Sequence, residues 1–371
     1  MDIGDWRLAV REFCERELRP HAVEWARAGS VGRDLWQQAG RAGLLCPDVP
    51  AELGGGGLGF GHEVVVVEEQ ARAGDTAWGY TAHEVVAQCV LAHGTDDQRA
   101  SWLPGLASGE LVGAIAITEP GAGSDMRSVV TDAEADGDGY VLTGTKTFVT
   151  NGLLADLVAI LAKVGDRLSV FIVDTRGIEV PRKGIAKIGR RGQDTAELEL
   201  AGVRVPATDL IGGVPGLGLG QLLPLMSRER LLIAVAATAA TEALVAHTID
   251  WSAERVVSGN PLRRFQHTRF ALAECATEAA ASRAFVDDAV RKHTAGELTM
   301  ADAAMVKLWA TERLATVADR CLQLHGGLGY TAGHPVAEAW ADARVTRIYG
   351  GTSEVMKDII AAALPFPRRR S

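Results

Sequence analysis

No C-x-x-C spacing occurs among the five cysteines, Cys14, Cys46, Cys89, Cys275 and Cys321, which are scattered along 371 residues. That excludes a cysteine-rich metal centre, offers no disulfide framework, and predicts a reduced, cytoplasmic setting. Basic charge is also in short supply: 38 Lys and Arg stand against 47 Asp and Glu, a net charge of −9. Such a chain has no excess of cations to neutralise phosphates, so nucleic acid and anionic membrane surfaces are excluded as partners, and the short tail "PRRRS" does not change the balance. The N-terminal stretch "MDIGDWRLAVREFCERELRP" has no basic region ahead of a long apolar core and is predicted to be an ordinary first helix, neither a signal peptide nor a membrane span. "HEVVV" (62–66) and "HEVVA" (83–87) begin like a zinc-protease helix but lack the second histidine, so His62 and His83 are expected to be surface or packing residues. No phosphate-binding G-x-x-x-x-G-K-[ST] loop is present either, and no metal is predicted.

What is present is apolar and orderly. With 47% hydrophobic and 23% charged residues, the chain can bury a substantial core divided into two or three regions. Residues 1–112 read as helical, interrupted at 46–61 and 92–98 by Gly, Pro and Asp. The texture changes over 113–215, where "VGAIAIT", "GYVLTGTKTFVTNG", "DLVAILAKV", "LSVFIVDT" and "ELELAGVRV" are β-branched runs between turn residues, which predicts strands. The glycine-rich "IGGVPGLGLGQ" (211–221) reads as a linker. Beyond it, 216–371 reads as a helical bundle: "RERLLIAVAATAATEALVAHTIDW" is apolar on nearly every face and must be buried, and a later helix is expected to bury Ala304, Leu308, Ala315 and Leu322 along one face.

"AITEPGAGSD" (116–125) follows a predicted strand and offers closely spaced backbone N–H groups on small residues, suited to an anion or a flat cofactor, though a tight turn alone would look the same. Other motifs follow it in order: "GTDDQRASWLPGLASGE" (94–110), "GTKTFVTNG" (144–152), "RVVSGNPLRRFQ" (255–266), "QLHGGLGY" (323–330) and "IYGGTSE" (348–354). Together they resemble the acyl-CoA dehydrogenase family of flavoproteins over nearly the whole chain. The resemblance implies an α+β, mainly α fold: an N-terminal helical domain, a central β domain of barrel or sandwich form, and a C-terminal four-helix bundle. It also implies a homotetramer (or dimer) with FAD between subunits. On that resemblance Thr118 would face the flavin pyrimidine edge, Gly123 and Ser124 the pyrophosphate, Phe148 the ring as an aromatic wall, and Thr150 the N5 side. Arg255, Gln266, Gln323, Gly326 and Gly327 would come from a neighbouring subunit to hold the adenosine and pyrophosphate, while Thr352 and Glu354 would cap the cofactor. Taken singly, Thr118 and Thr150 could as well satisfy strand ends, and Arg255 could be a solvated helix residue. Ser258 departs from the family's Phe, which removes an apolar contact and weakens the expected hold on FAD.

The chemistry implied is α,β-dehydrogenation of an acyl thioester, acyl-CoA to trans-2-enoyl-CoA: a carboxylate takes the α-proton and flavin N5 accepts the β-hydride. In many relatives the carboxylate precedes G-T in the last loop, and here that position is Gly350. A second branch, similar to long-chain and isovaleryl enzymes, carries its glutamate at the start of the first bundle helix, where this chain has "SRERLLIA" with Glu229 and then Arg230. Glu229 is therefore expected to be the base, although a first-turn acidic residue could serve only the helix dipole. The backbone N–H of Gly350 is expected to bind the thioester carbonyl, with Ser124 and Arg230 also meeting the substrate. Glu354 is the rival carboxylate, expected to point elsewhere. The substrate is read as acyl-CoA or an acyl-carrier-protein thioester, with an electron-transfer flavoprotein as electron acceptor. A flavin oxidase or monooxygenase of the same fold, or a non-catalytic scaffold, are the other readings.

Overall fold

The computed structural model describes residues 1–365, and the basic tail noted in the sequence lies outside them. The chain divides into two compact units, Met1–Leu225 and Met226–Ser371.

The first unit opens with six helices: α1 Ile3–Phe13, α2 Ala22–Ala28, α3 Arg33–Arg41, α4 Phe60–Arg72, α5 Tyr80–His93 and α6 Asp96–Ser108. The interruptions expected at 46–61 and 92–98 fall just before α4 and between α5 and α6. α6 starts on a capping box: the Thr95 hydroxyl accepts from Gln98 N–H at 3.2 Å and the Gln98 carbonyl oxygen accepts from Thr95 N–H at 2.9 Å. A seven-stranded sheet follows, β1 Gly113–Ala116, β2 Asp132–Asp136, β3 Gly139–Thr150, β4 Leu157–Val164, β5 Arg167–Asp174, β6 Arg182–Gly184 and β7 Thr195–Pro206. Its order is β1-β4-β2-β3-β7-β6, with β5 paired to β4.

β4 explains why its sequence is a continuous apolar run rather than an alternation. Leu157, Ala159 and Leu161 join one hydrophobic cluster with α5 and α6, whereas Val158, Ile160 and Ala162 join a second cluster inside the curled sheet. Both faces are buried, so neither can be polar. In β3 the register with β7 slips between Lys146 and Val149, which face Leu198 and Ala196 respectively. This bulge leaves Thr147 and Phe148 opposite a single residue and turns Phe148 outward at φ +56°.

The second unit contains most of α7 Gly218–Glu254, a two-stranded hairpin (β8 Val256–Val257, β9 Asn260–Pro261), α8 Gln266–Thr294, α9 Met300–His325, α10 Pro335–Thr346 and α11 Ser353–Ala363. α7 is long and apolar enough to cross a bilayer by length and composition. Its stretch from Leu231 to Val235 is nevertheless buried within the protein, as a core helix requires. Two expectations need correction. The 211–221 segment is a linker only in its first half, because helix α7 already begins at Gly218, where a side chain would strike the Leu168 carbonyl at 2.9 Å. The buried stripe of α9 runs through Ala303, Lys307, Ala310, Leu314, Val317, Cys321 and His325, so of the four residues expected only Ala304 is fully buried. A heptad reading of an alanine-rich helix does not distinguish two faces one position apart.

Candidate active site

In the second unit the loop between α10 and α11 is stitched to the bundle through its two glycine carbonyls. Arg230 Nε donates to the Gly350 carbonyl at 3.1 Å, and Lys307 Nζ donates to the Gly351 carbonyl at 2.8 Å. Arg347 Nε and the Ser353 hydroxyl both donate to Glu312 Oε1, at 2.9 and 2.7 Å, which clamps the flanks of the same loop. Gly350 has φ +63° and Gly351 φ +96°, conformations that L side chains rarely adopt. A Cβ at Gly350 would lie 2.5 Å from Ile233 Cδ1. The vacant position is thus held vacant by backbone geometry and by a neighbour on α7.

Glu229 stands on α7 next to Arg230. Burial raises its carboxyl above the ordinary 4.5, and the charges of Arg230 and Lys307 pull it partly back. Arg230 is only 3% exposed; burial lowers its guanidinium and Glu229 raises it. Its Nη1 is buried with no hydrogen-bond partner among the described residues. Lys307, completely buried, is lowered to about 8 by burial and by Arg230. The rival carboxylate behaves oppositely: Glu354 is exposed, and its own backbone N–H and the Thr352 hydroxyl lower it. Thr352 caps α11, its hydroxyl oxygen accepting from Val355 N–H at 3.2 Å. A carboxyl held towards the protonated side beside a vacated loop position suits a proton acceptor; an exposed, well-solvated one does not.

In the first unit Thr118 and the β3 bulge are neighbours, since Thr147 N–H donates to the Thr118 carbonyl at 2.9 Å. Phe148 is 65% exposed, and Thr150 pairs with Thr195 at the end of β3. Gly123 and Ser124 lie exposed in the loop after β1, where a Cβ on Gly123 would meet nothing within 4 Å. An aromatic ring held out at positive φ beside an open small-residue loop fits a flat cofactor that covers it.

Two residues inside the quoted motifs went unremarked in the sequence. Lys146 Nζ and Glu119 Oε1 form a buried ion pair at 2.7 Å, and Glu119 also accepts from the backbone N–H groups of Val130 and Thr131. Burial alone would raise Glu119, but Lys146, then Thr131 and the two backbone groups, bring it down to about 2. The pair locks the loop carrying Thr118 and Ser124 to the bulged strand carrying Phe148. The sequence gives little signal for it, since Lys146 stands between Thr145 and Thr147 in a strand that already mixes polar and apolar residues. Lys307 was missed likewise, because a lysine on a helix ordinarily faces water.

The remaining candidates, Arg255, Gln266, Gln323, Gly326 and Gly327, are all exposed. Arg255 and Gln323 share one end of neighbouring helices, since Trp251 Nε1, one turn before Arg255, donates to the carbonyl of Leu324. Ser258 and Gly259 form the hairpin turn at φ +49° and +77°. The structure brings these residues to one end of the unit and does not bring them to Glu229.

Comparison with known proteins gives the family. Residues 4–110, 114–203 and 216–364 match the N-terminal, middle and C-terminal domains of acyl-CoA dehydrogenase. The long-chain specific acyl-CoA dehydrogenase of Sus scrofa mitochondria is 40% identical over 366 residues, covering 96% of this chain and 85% of the relative. The mitochondrial isovaleryl-CoA dehydrogenase of Solanum tuberosum is 33% identical, covering 96% and 89%. The crystal structure of an acyl-CoA dehydrogenase from Geobacillus kaustophilus superimposes with a TM-score of 0.95 at 38% identity, covering 98% of each chain. A glutaryl-CoA dehydrogenase from Mycobacterium smegmatis, solved in complex with FADH2, does so with a TM-score of 0.92 at 26% identity, covering all of this chain and 96% of the other. With all three domains in order over almost its whole length, the chain belongs to the acyl-CoA dehydrogenase family.

Proposed function

We propose that this enzyme oxidises the Cα–Cβ bond of an acyl-CoA thioester with Glu229 as the base, on an acyl group of the long-chain or branched kind that its 40% and 33% identical relatives are named for. The cofactor is FAD, which when bound supplies the acceptor for the β-hydride. Thr118, Gly123, Ser124, Phe148 and Thr150 of one chain would hold the flavin side, and Arg255, Gln266, Gln323, Gly326 and Gly327 of a second copy the adenosine side. A homotetramer in the cytoplasm, passing its electrons to an electron-transfer flavoprotein, completes the proposal.

One observation carries the assignment of the base: the carboxyl of Glu229 is raised by burial, beside a loop whose own base position is a glycine at φ +63°. A thioester α-proton demands a base stronger than an ordinary carboxylate near ~4.3, and desolvation is the means by which a glutamate acquires that strength. A second carboxylate at position 350 would repel it and split the titration. As the α-proton leaves, negative charge develops on the thioester oxygen. The N–H of Gly350, which meets no acceptor among the described residues, and the unpaired Nη1 of Arg230 are the donors available in this unit to meet developing charge or the substrate's polar groups.

The test is anaerobic flavin bleaching with a panel of acyl-CoAs of increasing length and branching, run in parallel with matched acyl-carrier-protein thioesters. Glu229→Gln should keep the yellow cofactor and ligand binding but slow bleaching at least ~100-fold, the scale of a lost general base. Near-normal bleaching by the variant would reject the assignment.

A further inference from the structure

Three imidazoles from three helices of the second unit meet beside the end that carries Gln323, Gly326 and Gly327, and none of the three takes part in the proposed reaction. His247 lies on α7, His325 is the last residue of α9, and His334 is the N-cap of α10. One ring nitrogen from each lies within 4.8 Å of the other two. His247 stacks on His325 with centroids 5.4 Å apart and planes 6° from parallel, while His334 meets His325 edge-on at 5.3 Å. Trp251 also stacks on His325, at 5.1 Å, and is itself held by its bond to Leu324.

The decisive atom is Nε2 of His325. Its partner nitrogen, Nδ1, lies 2.8 Å from the Cys321 carbonyl, and a carbonyl can only accept, so the proton sits on Nδ1 and Nε2 presents a bare lone pair. That nitrogen is buried, on a residue only 4% exposed, and has no partner among the described residues. An imidazole with its tautomer fixed by a backbone carbonyl and its other nitrogen free is how metal-binding histidines are prepared. A second cluster in the chain, Cys46, His83 and Glu84, shows the contrast. There His83 Nδ1 accepts from Gly113 N–H and Nε2 donates to the Leu106 carbonyl, both at 3.1 Å, so the ring has no lone pair to offer.

We propose that His247, His325 and His334 form a binding site for a divalent transition metal of the zinc type. Three neutral imidazoles without a carboxylate select Zn²⁺, Co²⁺, Ni²⁺ or Cu²⁺ over Mg²⁺ or Ca²⁺. Zinc–nitrogen bonds near ~2.0–2.1 Å in a tetrahedron require ligand nitrogens about 3.4 Å apart, so nitrogens now within 4.8 Å must close by up to about 1.4 Å, and the exposed His247 ring must tilt out of its stack on His325 to aim its lone pair at the ion. His247 is exposed, which gives the ion a way in and leaves the fourth position to water. His334 gives up only a long bond from Val336 N–H, at 3.3 Å, when its ring turns to the ion. Bound there, the metal would tie α7, α9 and α10 together across the turn Gly326–Tyr330. The proposal is independent of the base assignment.

The test uses untagged flavoprotein freed of metal by chelator and titrated with Co²⁺ alone, then with Zn²⁺ as competitor. One Co²⁺ per chain should bind with the intense visible bands of four-coordinate cobalt, Zn²⁺ should displace it, and Zn²⁺ should raise the melting temperature. His247→Gln changes an exposed side chain and should leave the flavin bound and the bleaching rate unchanged. It should nevertheless weaken Co²⁺ binding by at least the ~10–100-fold typical of losing even a supporting group at a metal site, and His334→Gln should do the same. Less than half an equivalent of Co²⁺, weak bands of six-coordinate cobalt, or equal affinity in wild type and both variants would overturn the site.

Discussion

At the scale of single residues, Gly350 is constrained from two directions, by φ +63° and by Ile233 Cδ1 2.5 Å from where a Cβ would stand. Gly350→Ala is therefore expected to destabilise the protein by about 1–3 kcal/mol, the range for overpacking and for placing a side chain at positive φ. Adding Ile233→Ala should recover the steric part and leave the backbone part, which thermal denaturation of the single and double variants would show. If Gly350→Ala melts with wild type, the glycine answers to the substrate and not to the chain. The same pair bears on the base. Moving the carboxylate by Glu229→Gly with Gly350→Glu should restore little bleaching while Ile233 remains, and more once it is Ala. Glu229 stands out in the sequence as the proposed base because it occupies a motif position while the usual base position, Gly350, is vacant. Lys307, Glu119 and Lys146 were not, since each is a charge whose burial depends on a partner 27 or more residues away.

At the scale of elements, the α10–α11 loop is positioned by side chains of α7 and α9, and Lys307 acts on it in two ways. It donates to the Gly351 carbonyl, and its charge lowers Glu229. Lys307→Met should cost about 1–3 kcal/mol for the carbonyl left without its donor. It should also let the Glu229 carboxyl rise further, so that the acid limb of the pH–rate profile, where the base must lose its proton, moves to higher pH. Lys307→Arg keeps the charge and should leave the limb where it is. A limb that stays put in Lys307→Met, with only stability lost, would reduce Lys307 to a packing role. The elements themselves were unevenly legible. The strands β1, β3, β4, β5 and β7 announce themselves by β-branched runs. β2, "DAEAD", buries only Ala133, and β6 is three residues long with none buried, so neither carries a hydrophobic signature strong enough to read. The bulge in β3 is invisible because it is a property of pairing with β7 and not of either strand alone.

At the scale of the whole molecule, two buried carboxylates of the first unit set opposing slopes of stability against pH. Glu119 is held at about 2, below its ordinary 4.5, so the stability it contributes is complete above ~4.5 and is lost as pH falls towards 2. Asp209 is pushed the other way, to about 7 from 3.8, by burial and then by the charge of Asp174. Its contribution is complete below 3.8 and is lost as pH rises through 7, because the native state must then hold a buried charge. The protein should accordingly lose stability on both sides of mildly acidic conditions. Asp209→Asn cannot ionise, so its melting temperature should fall less than wild type's between pH 5 and pH 8, and the variant should be the more stable of the two at pH 8. Glu119→Gln leaves Lys146 buried without its counter-charge and should cost about 3–5 kcal/mol at neutral pH, with the difference from wild type shrinking as pH falls below 4.5. Melting curves of the three proteins at pH 3, 5 and 8 decide the matter. Parallel pH profiles for wild type and Asp209→Asn would mean that Asp209 is not the group that titrates near neutrality.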